Sequence, residues 1–144
     1  MVIDIGTPFR TVLRRVYLEN SRHFAAGTEP YVTRVLRPVI AATPATGVMD
    51  RLLAGPTPRE YAAGLRLQRS RATGFANLSI RDQIARVRLT GSCGSGGSTF
   101  TIADEIFPTL KQFANVTHVK IHDPAGHTES PFGHRDSIPT CLEP

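Results

Sequence analysis

A short amphipathic segment bounded by proline and glycine constrains the fold of this chain more than any other sequence feature. Thr43-Pro44 supplies a capping residue followed by proline at the first helical position. Gly55-Pro56 closes the segment, because proline cannot continue a helix. Between these signals, apolar residues recur at helical spacing, namely Val48, Met49, Leu52 and Leu53. The pattern predicts a helix that Leu52 and Leu53 anchor on a sheet, with Gly55 as a left-handed C-cap.

Two runs of β-branched and aromatic residues precede this helix and are typical of strands. The first covers residues 10–18 and the second covers residues 31–40. Pro38 indicates that the second strand lies near an edge of its sheet, because proline cannot donate to a ladder. The intervening residues 19–30 contain Asn, Ser, Gly and Pro, which predicts a long turn.

A second pair of strands is predicted after a basic stretch at residues 66–71. Residues 75–80 and 84–89 read as a hairpin around Arg81-Asp82-Gln83. In the second strand, Ala85, Val87 and Leu89 alternate with Arg86 and Arg88. The two-residue period of a strand therefore places the three apolar side chains on one face and both arginines on the other.

The rest of the chain predicts one more helix and one more strand. Residues 91–98 form a Gly/Ser loop, after which Ser98 or Thr99 can cap a helix that Pro108 should bend. Asp104 and Glu105 suit the first turn of that helix as capping residues. Its apolar stripe consists of Ile102, Ile106, Leu110 and Phe113. A strand over residues 116–122, a turn at residues 123–126 and a possible return arm at residues 127–130 complete the pattern.

The order of elements is β-β-α-β-β-α-β. The return arm at residues 127–130 would add an eighth element, a strand. This order predicts an α+β fold in which two helices pack on one face of a mixed or antiparallel sheet. The 144 residues suit one domain. We expect an N-terminal lead-in over residues 1–9, the domain over residues 10–130, and an irregular C-terminal tail over residues 131–144 packed on the domain.

Charge is distributed unevenly along the chain. Residues 1–88 carry 14 Arg against six acids, a net charge of +8, whereas residues 89–144 carry three basic residues against six acids. The excess of arginine permits an anionic partner such as nucleic acid, anionic lipid or wall polymer. A bias toward arginine also arises from GC-rich coding, and in that case the bias has no functional meaning. Interleaved aromatic residues are missing from the strand with Arg86 and Arg88, so no specific nucleic-acid partner is expected.

None of the common catalytic motifs has the required spacing. The Gly/Ser loop follows a strand and precedes a helix, as a phosphate-binding loop does, but Ser98 stands where such a loop needs lysine. No G-x-S-x-G elbow occurs. No long apolar run could span a membrane, and residues 1–6 lack the features of a signal peptide. We expect no catalytic residues and no cofactor.

Five histidines raise the question of a metal site. His118 and His122 lie about 13 Å apart along one strand, which is too far to share one ion. His122 and His127 could meet across the turn at residues 123–126, with Glu129 or His134 nearby. Surface histidines in solvent are the plainer interpretation, so no metal site is expected. A small ligand-binding or metal-binding protein, or an enzyme, using this C-terminal hairpin remains the alternative.

The most specific motif of the chain is Leu52-Leu53-Ala54-Gly55-Pro56-Thr57. On this motif and several further segments, the chain resembles the GerMN domain family over roughly residues 14–129. The sequence departs from the family pattern at the basic residues 66–71, at Asp82-Gln83 and at Ala114. The other matching segments are residues 16–18, 24–31, 34–38, 63–65, 75–89 and 109–113, with Glu60, Val116 and Val119.

This resemblance implies a fold similar to ring-building motifs and a non-catalytic module of the bacterial cell envelope, linked to sporulation or germination complexes. Such modules often occur on lipoproteins or anchored proteins, so we expect an extracytoplasmic location with an export signal or membrane anchor that this chain does not show. The expected partners are other envelope proteins or wall polymer, and a homo-oligomer is possible. In an extracytoplasmic domain Cys93 and Cys141 should form a disulfide, whereas a cytosolic chain would keep them reduced.

Overall fold

The computed structural model describes residues 10–144 and confirms the α+β class. The expected lead-in over residues 1–9 lies outside the described residues. The elements are β1 (Thr11–Asn20), α1 (Ser21–Ala26), β2 (Val32–Ile40), α2 (Pro44–Ala54), α3 (Pro58–Ala62), β3 (Leu65–Arg66), β4 (Ala72–Arg81), β5 (Ile84–Gly91), α4 (Ala103–Lys111) and β6 (His118–His122).

The strands form two three-stranded sheets, not the single sheet that the sequence predicted. The first has the order β2-β1-β3 and is antiparallel throughout. β2 pairs with β1 along its whole length, from Ile40 opposite Thr11 to Val32 opposite Glu19. Within residues 10–144 no strand pairs with the other side of β2, so this side is an edge of the sheet, as Pro38 indicated.

The second sheet has the order β4-β5-β6. β4 and β5 form the predicted antiparallel hairpin, and its two turn residues, Asp82 and Gln83, both have positive φ angles (52° and 65°). Such angles suit the twist of a two-residue hairpin turn. β5 and β6 are parallel. A parallel pair needs a long crossover connection, and here that connection contains α4. Ala85, Val87 and Leu89 are fully buried on the inner face, as their alternation predicted.

α2 and α4 contact each other and both pack against β1, so they hold the two sheets on a common core. The predicted bounds of α2 are confirmed, and Val48, Met49 and Leu52 have no solvent exposure. Gly55 does not adopt the left-handed C-cap that the sequence predicted. Its φ of 80° and ψ of −174° belong to an extended region that is nearly exclusive to glycine.

Three local predictions were wrong because side chains formed caps or contacts that periodicity does not report. Residues 19–30 contain the helix α1, whose amide at His23 donates to the Asn20 side chain. α4 begins at Ala103 with Ile102 as its N-cap, and the Thr101 amide donates to the Asp104 side chain, so neither Ser98 nor Thr99 caps it. Residues 127–130 form no strand, and Ser137 bridges to Lys120 of β6 instead.

The C-terminal residues 131–144 lie along β6 and then reach the Gly/Ser loop. The Ile121 amide donates to the carbonyl of Ser137, and the Ser137 amide donates to the carbonyl of Val119. A 3₁₀ turn at Thr140–Leu142 follows. Cys141 in this turn forms a disulfide with Cys93, with 5.7 Å between their Cα atoms.

Candidate interaction surface

Helix α4 takes the place of a strand along one side of β1. The side chains of Glu105, Thr109 and Gln112 recur four and three residues apart, so they lie on one face of the helix. They accept hydrogen bonds from alternate backbone amides of β1, and we call this set of contacts the α4–β1 seam. Its donor–acceptor pairs are Glu19 to Glu105 at 3.1 Å, Tyr17 to Thr109 at 3.0 Å and Arg15 to Gln112 at 2.8 Å.

Glu105 is the most constrained residue of the seam. Its Oε2 atom also accepts from the amide of Gln68 at 3.0 Å, so one oxygen joins β1, α4 and the segment after β3. The side chain is fully buried, and within the described residues its Oε1 atom has no partner. Burial raises the pKa of the Glu105 carboxyl well above its usual range, against the lowering effect of the two amides.

The sequence interpretation made Glu105 a capping residue of α4, which is wrong. Only Asp104 has that role. The polar residues Glu105, Thr109 and Gln112 form a second stripe beside the apolar stripe of α4, and that periodicity was the signal that sequence reasoning missed.

An apolar surface begins where α4 ends and the seam stops. Leu13 is 59% exposed and Leu36 is 58% exposed, on the outer face of the sheet. Leu13 and Arg15 stand on β1 opposite Pro38 and Leu36 of β2, respectively, so the two leucines are diagonal neighbours. A groove of about 480 Å³ lies beside them and is lined by Leu13, Arg14, Arg15, Leu36, Gln112, Phe113 and Ala114.

Cations surround this apolar surface on the outer face. Arg15 and Arg34 alternate with Leu13 and Leu36 on the two paired strands. Arg37 points to the other face, where Nη1 donates to the Glu60 carboxylate at 2.9 Å. The outer face of β1 and β2, defined by Leu13, Leu36, Arg15 and Arg34, therefore combines apolar and positive groups beside an open strand edge.

The residues of the Leu-Leu-Ala-Gly-Pro-Thr element lie elsewhere and support the fold. Leu52 has no exposure and Leu53 is half-buried against the same core. Gly55 and Pro56 lead out of α2. Thr57 then forms a capping box with Glu60, in which each side chain accepts from the other residue's amide.

The structure gives no support to a metal site at the C-terminal hairpin. Nδ1 of His122 bonds to the carbonyl of Gly126 at 2.9 Å, and its Nε2 faces Arg86 at 3.3 Å. The rings of His118 and His134 face each other instead, with 6.3 Å between their centroids. Across residues 10–144, no group of three or more His, Cys, Asp or Glu side chains is placed to hold a metal ion. His127 therefore belongs to no such group.

The Gly/Ser loop also differs from a phosphate-binding loop. Its Gly94 amide donates to the Ser70 carbonyl, and its Ser95 amide donates to the Cys141 carbonyl. These two donors are occupied by the protein itself. The loop is a connection that the disulfide and the C-terminal turn hold against the domain.

The sequence profile of the Germane family, described as sporulation and spore germination, matches residues 15–122. The chain belongs to the Germane family. Among curated proteins no sequence matches this Germane chain significantly. No helix within the described part of the chain is both long and apolar enough to cross a membrane.

Two solved structures of GerMN domains share the fold of this Germane domain. One holds the first GerMN domain of the sporulation protein GerM from Bacillus subtilis, with a TM-score of 0.55 and 19% identity over 90% of this chain and 98% of that chain. The other holds the tandem GerMN domains of the same protein, with a TM-score of 0.56 and 18% identity over 86% of this chain. This chain spans only 42% of the tandem structure. The resemblance to the GerMN family is therefore confirmed.

Proposed function

We propose that this Germane domain is a non-catalytic interaction module that helps assemble protein complexes of the bacterial cell envelope, as part of sporulation or germination. The observation that carries the proposal is the outer face of β1 and β2, where Leu13 and Leu36 are more than half exposed side by side. Exposed apolar side chains gathered next to an open strand edge are typical of a protein contact surface.

The partner that we propose for this face is a second GerMN-type domain. A B. subtilis sporulation protein of this fold carries two GerMN domains in tandem. The uneven charge supports a head-to-tail contact, because Arg15 and Arg34 lie on the proposed face while residues 89–144 carry a net negative charge. A head-to-tail contact uses two different surfaces, so it builds rings or open assemblies rather than closed pairs.

Sedimentation velocity at increasing protein concentration tests the proposed contact. We expect reversible self-association that weakens as salt is added, because the two charged surfaces become screened. The Leu36→Ser variant should remain monomeric. The matched control is Phe132→Ser, which removes another large apolar side chain, 85% exposed, from a different part of the surface and should associate as the parent does.

Two results would overturn this proposal. A chain that stays monomeric at millimolar concentration does not use the face for a second GerMN-type domain, and wall polymer or another envelope protein would then have to be tested. Equal loss of association in Leu36→Ser and Phe132→Ser would mean that the contact is nonspecific.

The proposed extracytoplasmic location rests on the disulfide between Cys93 and Cys141, because disulfides persist in oxidising compartments. Thiol alkylation in intact cells under nonreducing conditions tests it, and modification of both cysteines would contradict it. The absence of catalysis is tested by assays on ester, phosphate and peptidoglycan substrates. Turnover that a single substitution abolishes would contradict the non-catalytic role.

A further inference from the structure

A positively charged pocket lies on the outer face of the second sheet, away from the proposed contact face. Arg86 and Arg88 point to this side of β5, and His122 stands opposite Arg88 on the parallel strand β6. The pocket has a volume of about 220 Å³. Asn77 and Ser79 of β4 also line it, together with Gly126 from the turn after β6.

Neutral groups hold the cationic side chains in place without neutralising them. Arg86 Nη2 donates to the Pro131 carbonyl at 2.6 Å, and Arg88 Nη1 donates to the Pro124 carbonyl at 3.1 Å. Nε2 of His122 accepts from Arg86 Nη1, because a guanidinium group can only donate. Most N–H donors of the two guanidinium groups are not used by these contacts, so they stay available to a ligand.

No carboxylate among residues 10–144 forms a salt bridge with Arg86 or Arg88. Within residues 10–144 the salt bridges join Arg37 to Glu60 and Lys111 to Asp136. The nearest acid in sequence, Asp123, uses Oδ1 to accept from the amides of Ala125 and His127 and so holds its own turn.

A further cation lies beneath the same face. Lys120, which pairs with Arg86 across β5 and β6, is fully buried and donates to the carbonyl of Ser130 at 2.6 Å. Desolvation lowers the pKa of the Lys120 ammonium, and the charges of Arg86 and Arg135 lower it further, whereas Asp136 raises it. Within the described residues, Arg86 and Arg88 therefore supply the positive charge that lines the pocket.

The backbone at the rim is also held in an unusual conformation. Asn77 lies where the register of β4 and β5 shifts, and its φ is 56°. A positive φ is uncommon in residues other than glycine, and bulges of this kind redirect side chains next to binding sites.

We propose that this pocket binds a phosphate dianion, either as free phosphate or as a terminal phosphate ester. Two arginines two residues apart on one strand face present forked donors of the kind that matches phosphate oxygens, and Ser79 and Asn77 add neutral donors. The excess of cations favours a doubly charged group over a single carboxylate. The pocket is on the other sheet from Leu13 and Leu36, so this binding site is independent of the proposed self-association.

Titration of the ¹⁵N-labelled chain with sodium phosphate, at constant ionic strength maintained with sodium chloride, tests the proposal. We expect saturable shifts of the amide signals of Arg88, His122 and Gly126, which chloride alone or acetate at equal concentration does not produce. Glycerol phosphate provides a second arm: binding of both compounds assigns a phosphate ester as the ligand, and binding of phosphate alone assigns the free ion.

Arg88→Gln should weaken phosphate binding by about tenfold, since it removes one charge-assisted fork. The matched control is Arg59→Gln, which removes one exposed positive charge from α3, outside both proposed surfaces, and should bind phosphate as the parent does. The amide spectrum of each variant verifies that it is folded. No saturable shift in the parent chain, equal shifts with chloride, or equal weakening in both variants would overturn the phosphate site.

Discussion

One oxygen of Glu105 accepts a hydrogen bond from the backbone amide of Glu19, with 3.1 Å between the two atoms. This contact lets a helix cover the side of β1 where another strand would ordinarily pair. Because Thr109 and Gln112 continue the same row, the donors of β1 are satisfied by side chains. The second sheet therefore does not join the first along this edge, which explains why two sheets form instead of one.

The pH dependence of stability should change when Glu105 is replaced by Gln. The folded-state pKa of Glu105 is raised by burial, so the folded state retains a proton that the unfolded state releases as pH rises above its usual value of 4.5. Wild-type stability should therefore fall relative to Glu105→Gln as pH rises from about 4 to 8. Each unit of pKa elevation corresponds to about 1.4 kcal/mol. Urea unfolding at several pH values measures the difference, and a constant difference across this range would contradict it.

The pair of Arg37 and Glu60 should show the opposite pH dependence. The hydrogen bond from Arg37 lowers the pKa of the Glu60 carboxyl and outweighs the raising effect of burial. The stabilisation is therefore present above the unfolded pKa and is lost as pH falls through the folded pKa. We expect Glu60→Gln to cost about 1 kcal/mol at pH 7 through loss of the ion pair, because Gln can still accept in the capping box, and to cost much less below pH 4. An unchanged cost at low pH would contradict this account.

Thr109→Val should destabilise the domain by about 1–3 kcal/mol. The replacement keeps the shape of a fully buried side chain but removes the acceptor of the Tyr17 amide, which would remain unpaired. Thr46→Val in α2 is the matched control, because Thr46 is an exposed helical threonine. Equal effects of the two changes on the free energy of unfolding would show that the α4–β1 seam contributes nothing.

Leu52→Ala should cost about 2–5 kcal/mol, because it leaves a cavity in the core beneath α2. Leu53→Ala should cost less, since Leu53 is only half-buried. Chemical denaturation of both variants tests the order. A loss below about 0.5 kcal/mol for Leu52→Ala would mean that the buried face of α2 is misassigned.

Reduction of the disulfide between Cys93 and Cys141 should cost about 4 kcal/mol. The bridge joins residues 48 positions apart and so restricts the unfolded chain, which is the main source of stabilisation in the chain-entropy model. Mass spectrometry of nonreduced protein detects the bond, and unfolding with and without reductant measures its effect. Alkylation of both thiols without reductant would contradict the bond, and equal stability would contradict the entropic contribution.

Local patterns were sufficient to predict several elements. Thr43-Pro44 and Gly55-Pro56 delimited α2, and the alternation of Ala85, Val87 and Leu89 with two arginines identified the buried face of β5. Pro38 identified β2 as an edge strand. These predictions succeeded because capping, turn formation and strand alternation depend on neighbours within a few residues.

The tertiary structure alone decided which polar residues leave solvent and how the strands divide between sheets. Sequence reasoning treated Glu105 as a cap, and it did not predict that the side chain of Lys120 is buried. In the fold, Glu105 accepts amide donors from β1 and Lys120 donates to carbonyls of the C-terminal segment. A polar group can be buried only where partners from distant parts of the chain replace its water, and Glu105 and Glu19 are 86 residues apart. That pairing depends on the packing of α4 against β1, which no local pattern encodes.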